Sequence, residues 1–188
     1  MKRVFRFPLS SPADARHTTV TVHSSPHEAS AGVARQIADL IRHKQQRGER
    51  AVLGLATGST PTAVYNELVR MHRDEKLSFA NVTTFNLDEY WPMRPDSLQS
   101  YRRFMREYLF DHLDIDPRNV NIPDGTVALD DVAAFCDDYE RRIRAAGGIE
   151  IAAALTVDQP DALAGDRDGQ LLVSGAVEYS AHRRFRAE

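Results

Sequence analysis

One short segment of the sequence has the residue types of a phosphate-binding loop. Gly58, Ser59 and Thr60 follow an apolar run, residues 51–56, and precede Pro61. This order predicts a strand, a tight glycine turn and a helix that begins with Thr60 as N-cap and proline at the first helical position. Free backbone amides at such a helix start attract anions, so the segment predicts a site for a phosphate group.

A second segment supplies carboxylates. Asp88 and Glu89 directly follow another apolar run, residues 82–86, which has the length of a strand. A phosphate-binding loop beside a carboxylate indicates sugar-phosphate chemistry.

The elements around these segments alternate between strand and helix patterns. Residues 18–23 predict a first strand, and the capping-box spacing of Ser25 and Glu28 predicts the start of a helix. Residues 119–122 and 149–157 predict two later strands. The fold class is therefore α/β, a parallel sheet with helices on both faces, and ligands of such sheets bind beyond the carboxyl ends of the strands.

The segment after Asp88 is rich in aromatic residues and proline. Tyr90 and Trp91 either line a sugar pocket or pack over the end of the sheet. Asp96 resembles an N-cap, and the helix expected after it has an apolar face that includes Tyr101 and Phe104. Aromatic residues at helical spacing usually belong to the core.

Composition limits the function classes. The 188-residue chain has a net charge of -3, which argues against a general nucleic-acid surface, and a hydrophobic content of 42%, which is ordinary for a globular protein. No apolar run is long enough to cross a bilayer, so we expect no membrane partner and a cytoplasmic location. Cys136, the single cysteine, is expected in the core, and no cluster has metal-ligand spacing.

Three stretches of different character divide the sequence. We expect residues 1–17 to be an N-terminal extension, residues 18–157 to form one α/β domain, and residues 158–188 to be a divergent tail. The first stretch lacks any period, and the last has the composition of loops with a short strand pattern at residues 170–173.

The two motifs together resemble the glucosamine-6-phosphate deaminase family, with 6-phosphogluconolactonases as more distant relatives. The resemblance covers about residues 18–150. It depends on Thr-Gly-Ser-Thr-Pro at residues 57–61, on Phe-Asn-Leu-Asp-Glu-Tyr at residues 85–90 and on Ser-Tyr at residues 100–101. Either of the first two motifs alone would be weak, whereas the pair at this spacing is specific.

The resemblance implies a Rossmann-like fold and conversion of glucosamine 6-phosphate to fructose 6-phosphate and ammonia, without a metal or redox cofactor. By position, it assigns the sugar phosphate to Gly58, Ser59 and Thr60. It assigns to Asp88 the transfer of a proton between C2 and C1 of the opened sugar. This aldose to ketose shift needs one carboxylate within hydrogen-bonding reach of a carbon-bound proton, and a partly desolvated Asp88 at a strand end fits this requirement. Glu89 and Tyr90 become candidate pocket residues, although Glu89 equally suits a structural hydrogen bond.

The sequence departs from the family after about residue 150. The family continues with Asp-Gly-His and Asn-Glu-Pro, which provide the ring-opening histidine and its acidic partners, but here Asp168 and Gly169 are followed by Gln170. Truncation, a reading-frame break and divergence each account for this change. A sheet left incomplete exposes an edge strand, so a homo-oligomer is among the expected partners.

Three functions therefore remain open from the sequence. The first is an active deaminase, the second a sugar-phosphate-binding relative without catalysis, and the third a 6-phosphogluconolactonase-like hydrolase.

Overall fold

The computed structural model describes residues 3–7 and 18–153. Within them the strands, in chain order, are β1 (Arg3–Phe7), β2 (Thr18–Val22), β3 (Ala51–Leu55), β4 (Val82–Asn86), β5 (Val120–Asn121) and β6 (Ile151–Ala153). The helices are α1 (Pro26–Gln46), α2 (Ser59–Glu75), α3 (Tyr101–Tyr108) and α4 (Val132–Ala145). Short 3-10 turns lie at Phe110–His112, Pro117–Asn119 and Leu129–Asp131.

Four strands form the predicted parallel sheet. Their order is β5-β4-β3-β6, and β3 pairs in parallel with β4 on one side and β6 on the other. The predicted strands at residues 119–122 and 149–157 correspond to β5 and to the described part of the run that contains β6. The pattern at residues 170–173 lies outside the described residues, as do Asp168, Gly169 and Gln170.

The first predicted strand has a different role from the one that alternation suggested. β2 pairs antiparallel with β1 in a separate two-stranded sheet, and it is not a strand of the parallel sheet. β1 lies in the segment that the sequence pattern assigned to an N-terminal extension, and no periodicity predicted it. Strand pairing of this kind depends on a partner elsewhere in the chain, which local periodicity does not reveal.

Helices cover both faces of the parallel sheet, as expected for this fold class. On one face, α1 and α2 pack against alternate residues of β3 and β4, including Leu53, Leu55 and Val82, which are almost completely buried. On the other face, α4 packs Tyr139 and Ile143 against the opposite side of the same strands. Burying one large aliphatic side chain contributes roughly 1.5–3 kcal/mol, so the two apolar layers hold β3 and β4 at the centre of the fold.

Two helix starts differ from the sequence expectation. α2 begins at Ser59 with Gly58 as N-cap, so Thr60 lies inside the first turn and is not the cap. α3 begins at Tyr101 with Ser100 as N-cap, so Asp96 does not begin it. The expected cap at Ser25 is confirmed, because its hydroxyl accepts a hydrogen bond from the backbone amide of Glu28 at 3.2 Å.

Cys136 is less buried than the sequence pattern predicted. Cys136 lies on α4 and is half-buried, which corrects the expectation of a core position. Among the helices of the described residues, none combines the length and the apolar character required to span a bilayer.

Candidate active site

The two predicted segments lie side by side at the carboxyl edge of the sheet. β3 and β4 are adjacent parallel strands in which Leu55 pairs with Asn86, and the backbone amide of Leu87 donates to the carbonyl oxygen of Leu55 at 3.0 Å. The loops that leave both strands therefore start next to each other. This is the edge at which parallel sheets bind ligands, so the expected placement of the two segments is confirmed.

The loop after β3 presents unused amide donors. Gly58 adopts φ 118° and ψ 177°, a conformation that essentially only glycine occupies, and this turn leads directly into α2. Within the described chain, no acceptor pairs with the backbone amides of Gly58, Ser59 or Thr60. Because the first amides of a helix carry partial positive charge, this loop presents donors suited to an anion.

Asp88 also lacks an internal partner. Its carboxylate accepts no hydrogen bond from the residues that the structure describes, and its side chain remains accessible to solvent. Neighbouring protein atoms nevertheless displace part of its hydration. This desolvation raises the pKa of Asp88 above the ordinary aspartate value, and the adjacent charge of Glu89 raises it further. An accessible carboxylate with a raised pKa has the properties of a general base.

Glu89 points in another direction and has a structural role. One of its carboxylate oxygens accepts from the backbone amides of Tyr90 at 3.0 Å and Tyr101 at 2.9 Å. The other accepts from the Ser100 hydroxyl at 2.9 Å and the Arg102 amide at 3.1 Å. Its carboxylate therefore joins the loop after β4 to the first turn of α3. The four contacts occupy the acceptor sites of the carboxylate.

Tyr101 lies near both loops, a position that the sequence did not predict. Its side chain contacts the ring of Tyr90 and lies near Thr57 and the charge of Asp88. Burial raises the pKa of Tyr101 to about 12, and the contact with Tyr90 and the charge of Asp88 act in the same direction, whereas Thr57 opposes them. The sequence assigned Tyr101 to an apolar core face. The signal that could have placed it correctly is its position immediately after a serine N-cap, in the first turn of a helix.

The side chains of Tyr90 and Trp91 make different contacts. Tyr90 is 53% exposed, and its ring contacts the ring of Tyr101 with centroids 4.8 Å apart. Trp91 instead donates its indole N–H to the carbonyl oxygen of Val127 at 2.7 Å. Tyr90 therefore remains available at the edge, whereas Trp91 fastens the loop to another part of the chain.

A neighbouring cavity does not coincide with these residues. It measures about 250 Å³ and is lined by residues that include Glu89, Arg102 and Asp124, but not Asp88, Tyr90 or the loop at residues 57–60. The candidate site is therefore the open edge between the two loops. No group of three or more metal-ligating side chains occurs within the described residues.

Comparison with known proteins decides the family. The sequence matches the family described as glucosamine-6-phosphate isomerases/6-phosphogluconolactonase over residues 24–163. The chain belongs to this family. The resemblance inferred from the two motifs is thereby confirmed, and both motifs lie inside the matched region.

Curated relatives agree with this assignment. A glucosamine-6-phosphate deaminase-like protein of Bacteroides thetaiotaomicron is 45% identical over 131 residues, which cover 70% of this chain and 20% of that protein. The glucosamine-6-phosphate deaminase of Halothermothrix orenii is 50% identical over 101 residues, covering 54% of this chain and 41% of the relative. The chain thus spans less than half the length of these relatives.

Solved structures confirm the fold. A monomeric glucosamine-6-phosphate deaminase superposes with a TM-score of 0.64 at 41% identity, covering 69% of this chain and 52% of that one. The 6-phosphogluconolactonase of Trypanosoma brucei superposes with a TM-score of 0.52 at 25% identity, covering 66% of this chain and 49% of that one. The deaminase is thus more similar than this lactonase in both fold and sequence.

Proposed function

We propose that this protein binds glucosamine 6-phosphate at the carboxyl edge of β3 and β4 and converts it to fructose 6-phosphate and ammonia. One observation carries the proposal. The amides of Gly58, Ser59 and Thr60, which have no acceptor among the described residues, lie on a loop directly beside the loop that carries Asp88, whose carboxylate has no donor among them. Similarity to deaminases at 45–50% identity supports this substrate rather than another phosphorylated ligand.

The phosphate occupies the positive end of α2 in this proposal. The amides of Gly58, Ser59 and Thr60 donate to the phosphate oxygens, and the positive end of the helix dipole favours its charge. Gly58 has no side chain to block the approach, and a Cβ at that position would have open space around it. Phosphate binding fixes one end of the sugar and leaves the other end to reach Asp88.

Asp88 acts as the base in the proposed chemistry. In the open-chain sugar, its carboxylate removes the proton from C2 and returns a proton to C1. The C1 oxygen gains a proton as the aldehyde becomes an alcohol, and the C2 amine gives up a proton as it becomes an imine, so this step is an isomerisation with no net gain or loss of atoms. Water adds to the imine and expels ammonia, leaving the C2 ketone of fructose 6-phosphate. A raised pKa suits a carboxylate that must both accept and return this proton.

A binding function without turnover is the second candidate. The observation that favours it is Gln170 after Asp168-Gly169, where the family motif has histidine. Such a protein uses the same edge and the same amides but lacks a group to open the sugar ring. The lactonase alternative has weaker support, because the solved lactonase is 25% identical whereas the solved deaminase is 41% identical.

We also propose the domain, the metabolic role and the compartment of the reaction. We assign the site to the unit at residues 18–157 and the reaction to amino-sugar catabolism. We place it in the cytoplasm, because the charge of a phosphorylated sugar prevents free passage through a bilayer. The oligomeric state is independent of this proposal, since the described site needs residues of one chain alone.

Ammonia release from glucosamine 6-phosphate tests the enzyme. We expect the purified protein to release ammonia, and Asp88→Asn to reduce the rate by about 10² to 10⁴, because it removes the base. Asp96→Asn is the matched control, since Asp96 is an exposed carboxylate in the same connection and pairs with Arg94.

The outcomes separate the candidates. Ammonia release that depends on Asp88 supports the deaminase. Calorimetric binding of glucosamine 6-phosphate without ammonia supports the binding protein and refutes turnover. Absence of both binding and ammonia release refutes the site itself.

A further inference from the structure

Tyr101 is held at the carboxyl edge by the backbone. It is the first residue of α3, its amide donates to Glu89 at 2.9 Å, and the preceding Ser100 caps the helix and also donates to Glu89. These bonds fix the backbone position from which the side chain extends. The ring therefore reaches the edge from a rigid element.

The hydroxyl of Tyr101 lies between the two halves of the proposed site. It lies near Thr57, the residue before Gly58, and it is close enough to Asp88 for the carboxylate charge to act on it. The ring of Tyr90 packs against the ring of Tyr101, with centroids 4.8 Å apart and planes at 48°. The hydroxyl is therefore placed to contact a ligand whose phosphate binds at Gly58 and whose opposite end reaches Asp88.

The chemistry of the hydroxyl suits a sugar. A phenol is both a hydrogen-bond donor and an acceptor, and the hydroxyl and amine groups of an amino sugar are its natural partners. With a pKa raised to about 12, the group stays protonated at neutral pH and keeps its donor. Inorganic phosphate held at the start of α2 needs only the backbone amides and gains nothing from a group placed further towards Asp88.

We propose that the Tyr101 hydroxyl binds the sugar portion of the ligand and makes the site selective for a sugar phosphate over a bare phosphate. This inference rests on the proposed function, since it requires the phosphate to bind at Gly58, Ser59 and Thr60. Tyr101 is then a specificity-determining residue, and the ring of Tyr90 packs against its ring.

Tyr101→Phe is the test, because it removes the hydroxyl and keeps the ring. The dissociation constant of glucosamine 6-phosphate is measured by calorimetry, and that of inorganic phosphate by displacement. We expect the substitution to weaken glucosamine 6-phosphate about tenfold and to change inorganic phosphate by less than about twofold. The control is Tyr108→Phe on the same helix, where the tyrosine is exposed and packs on Phe104.

Each result decides a different point. Loss of affinity for the sugar phosphate alone supports the inference. Equal weakening of both ligands assigns Tyr101 a structural role and overturns it, and so does unchanged affinity for both. If the unsubstituted protein binds the sugar phosphate, the proposed site stands in each of these cases. If it binds neither ligand, both the proposed site and this inference are refuted.

Discussion

The loops that follow β3 and β4 lie side by side but are stabilised in different ways. The loop after β3 leaves the amides of Gly58, Ser59 and Thr60 without acceptors in the described chain, and a Cβ at Gly58 would contact nothing within 4 Å. The loop after β4 is fastened by Glu89 to the first turn of α3, and by Trp91 to Val127 at 2.7 Å. One loop therefore has donors available to a ligand, while the other is already anchored before a ligand binds.

The neighbouring carboxylates of Asp88 and Glu89 show the same contrast in their hydrogen bonding. Glu89 accepts four hydrogen bonds and holds secondary structure together, whereas Asp88 accepts none within the described residues. The difference shows that one carboxylate can remain open to a ligand while the adjacent one fixes the backbone. We infer that stability and reactivity are divided between these two residues.

Glu89→Ala should produce the largest effect, because it breaks the anchored loop. We expect a loss of about 3 kcal/mol in the free energy of unfolding, since the substitution leaves a helix start and a serine hydroxyl without their acceptor. Urea denaturation monitored by circular dichroism measures this loss. Glu107→Ala on the same helix, which removes one exposed ion pair with Arg103 at 2.6 Å, should cost about 0.5 kcal/mol or less. Similar losses in the two variants would contradict the structural role of Glu89.

Parts of this arrangement could be predicted from the sequence because they depend on neighbouring residues. A strand-length apolar run followed by glycine determines where β3 ends, and the same rule places Asp88 after β4. Parallel pairing then brings both ends to one edge. The residues of the candidate site were therefore visible as motifs, and their proximity followed from the fold class.

Other parts depend on contacts that are distant in the sequence. The cap of α3 was expected at Asp96, which has the local pattern of a capping box, but the helix begins at Tyr101 because Glu89 accepts its amide from outside the helix. Helical periodicity also predicted a core position for Tyr101, which instead lies near the edge of the sheet. Periodicity identifies the face of a helix, but it does not show that the first turn reaches the edge of the sheet.

Gly58→Ala tests the loop after β3 and should have an intermediate effect. Alanine at φ 118° is strained, so we expect a loss of about 2 kcal/mol in the free energy of unfolding or a rearranged loop. Either result should weaken binding of glucosamine 6-phosphate at least about tenfold, because the amides no longer converge. Gly147→Ala is the matched control, since Gly147 also has positive φ, 99°, and open space, but lies beyond the end of α4. The control should lose stability without losing affinity, and unchanged affinity in Gly58→Ala would remove this loop from the site.

Asp88→Asn should have the smallest effect on stability, and its sign is opposite to that of the other two substitutions. The folded protein raises the pKa of Asp88, so it binds the proton more tightly than the unfolded chain does, and stability falls as the pH rises above the ordinary aspartate value of about 4. Asparagine carries no charge to desolvate, and the variant should be more stable at pH 7 by about 0.5 kcal/mol or less, given the solvent exposure of the site. The gain should disappear below about pH 4.

Asp124→Asn should behave in the opposite way, because hydrogen bonds from Thr126 lower the pKa of Asp124 and stabilise its charged form. Urea denaturation of both variants across pH 3.5–7 measures the two slopes. If Asp88→Asn loses stability at pH 7, then Asp88 has a stabilising partner in the folded protein, and the contrast between Asp88 and Glu89 is wrong.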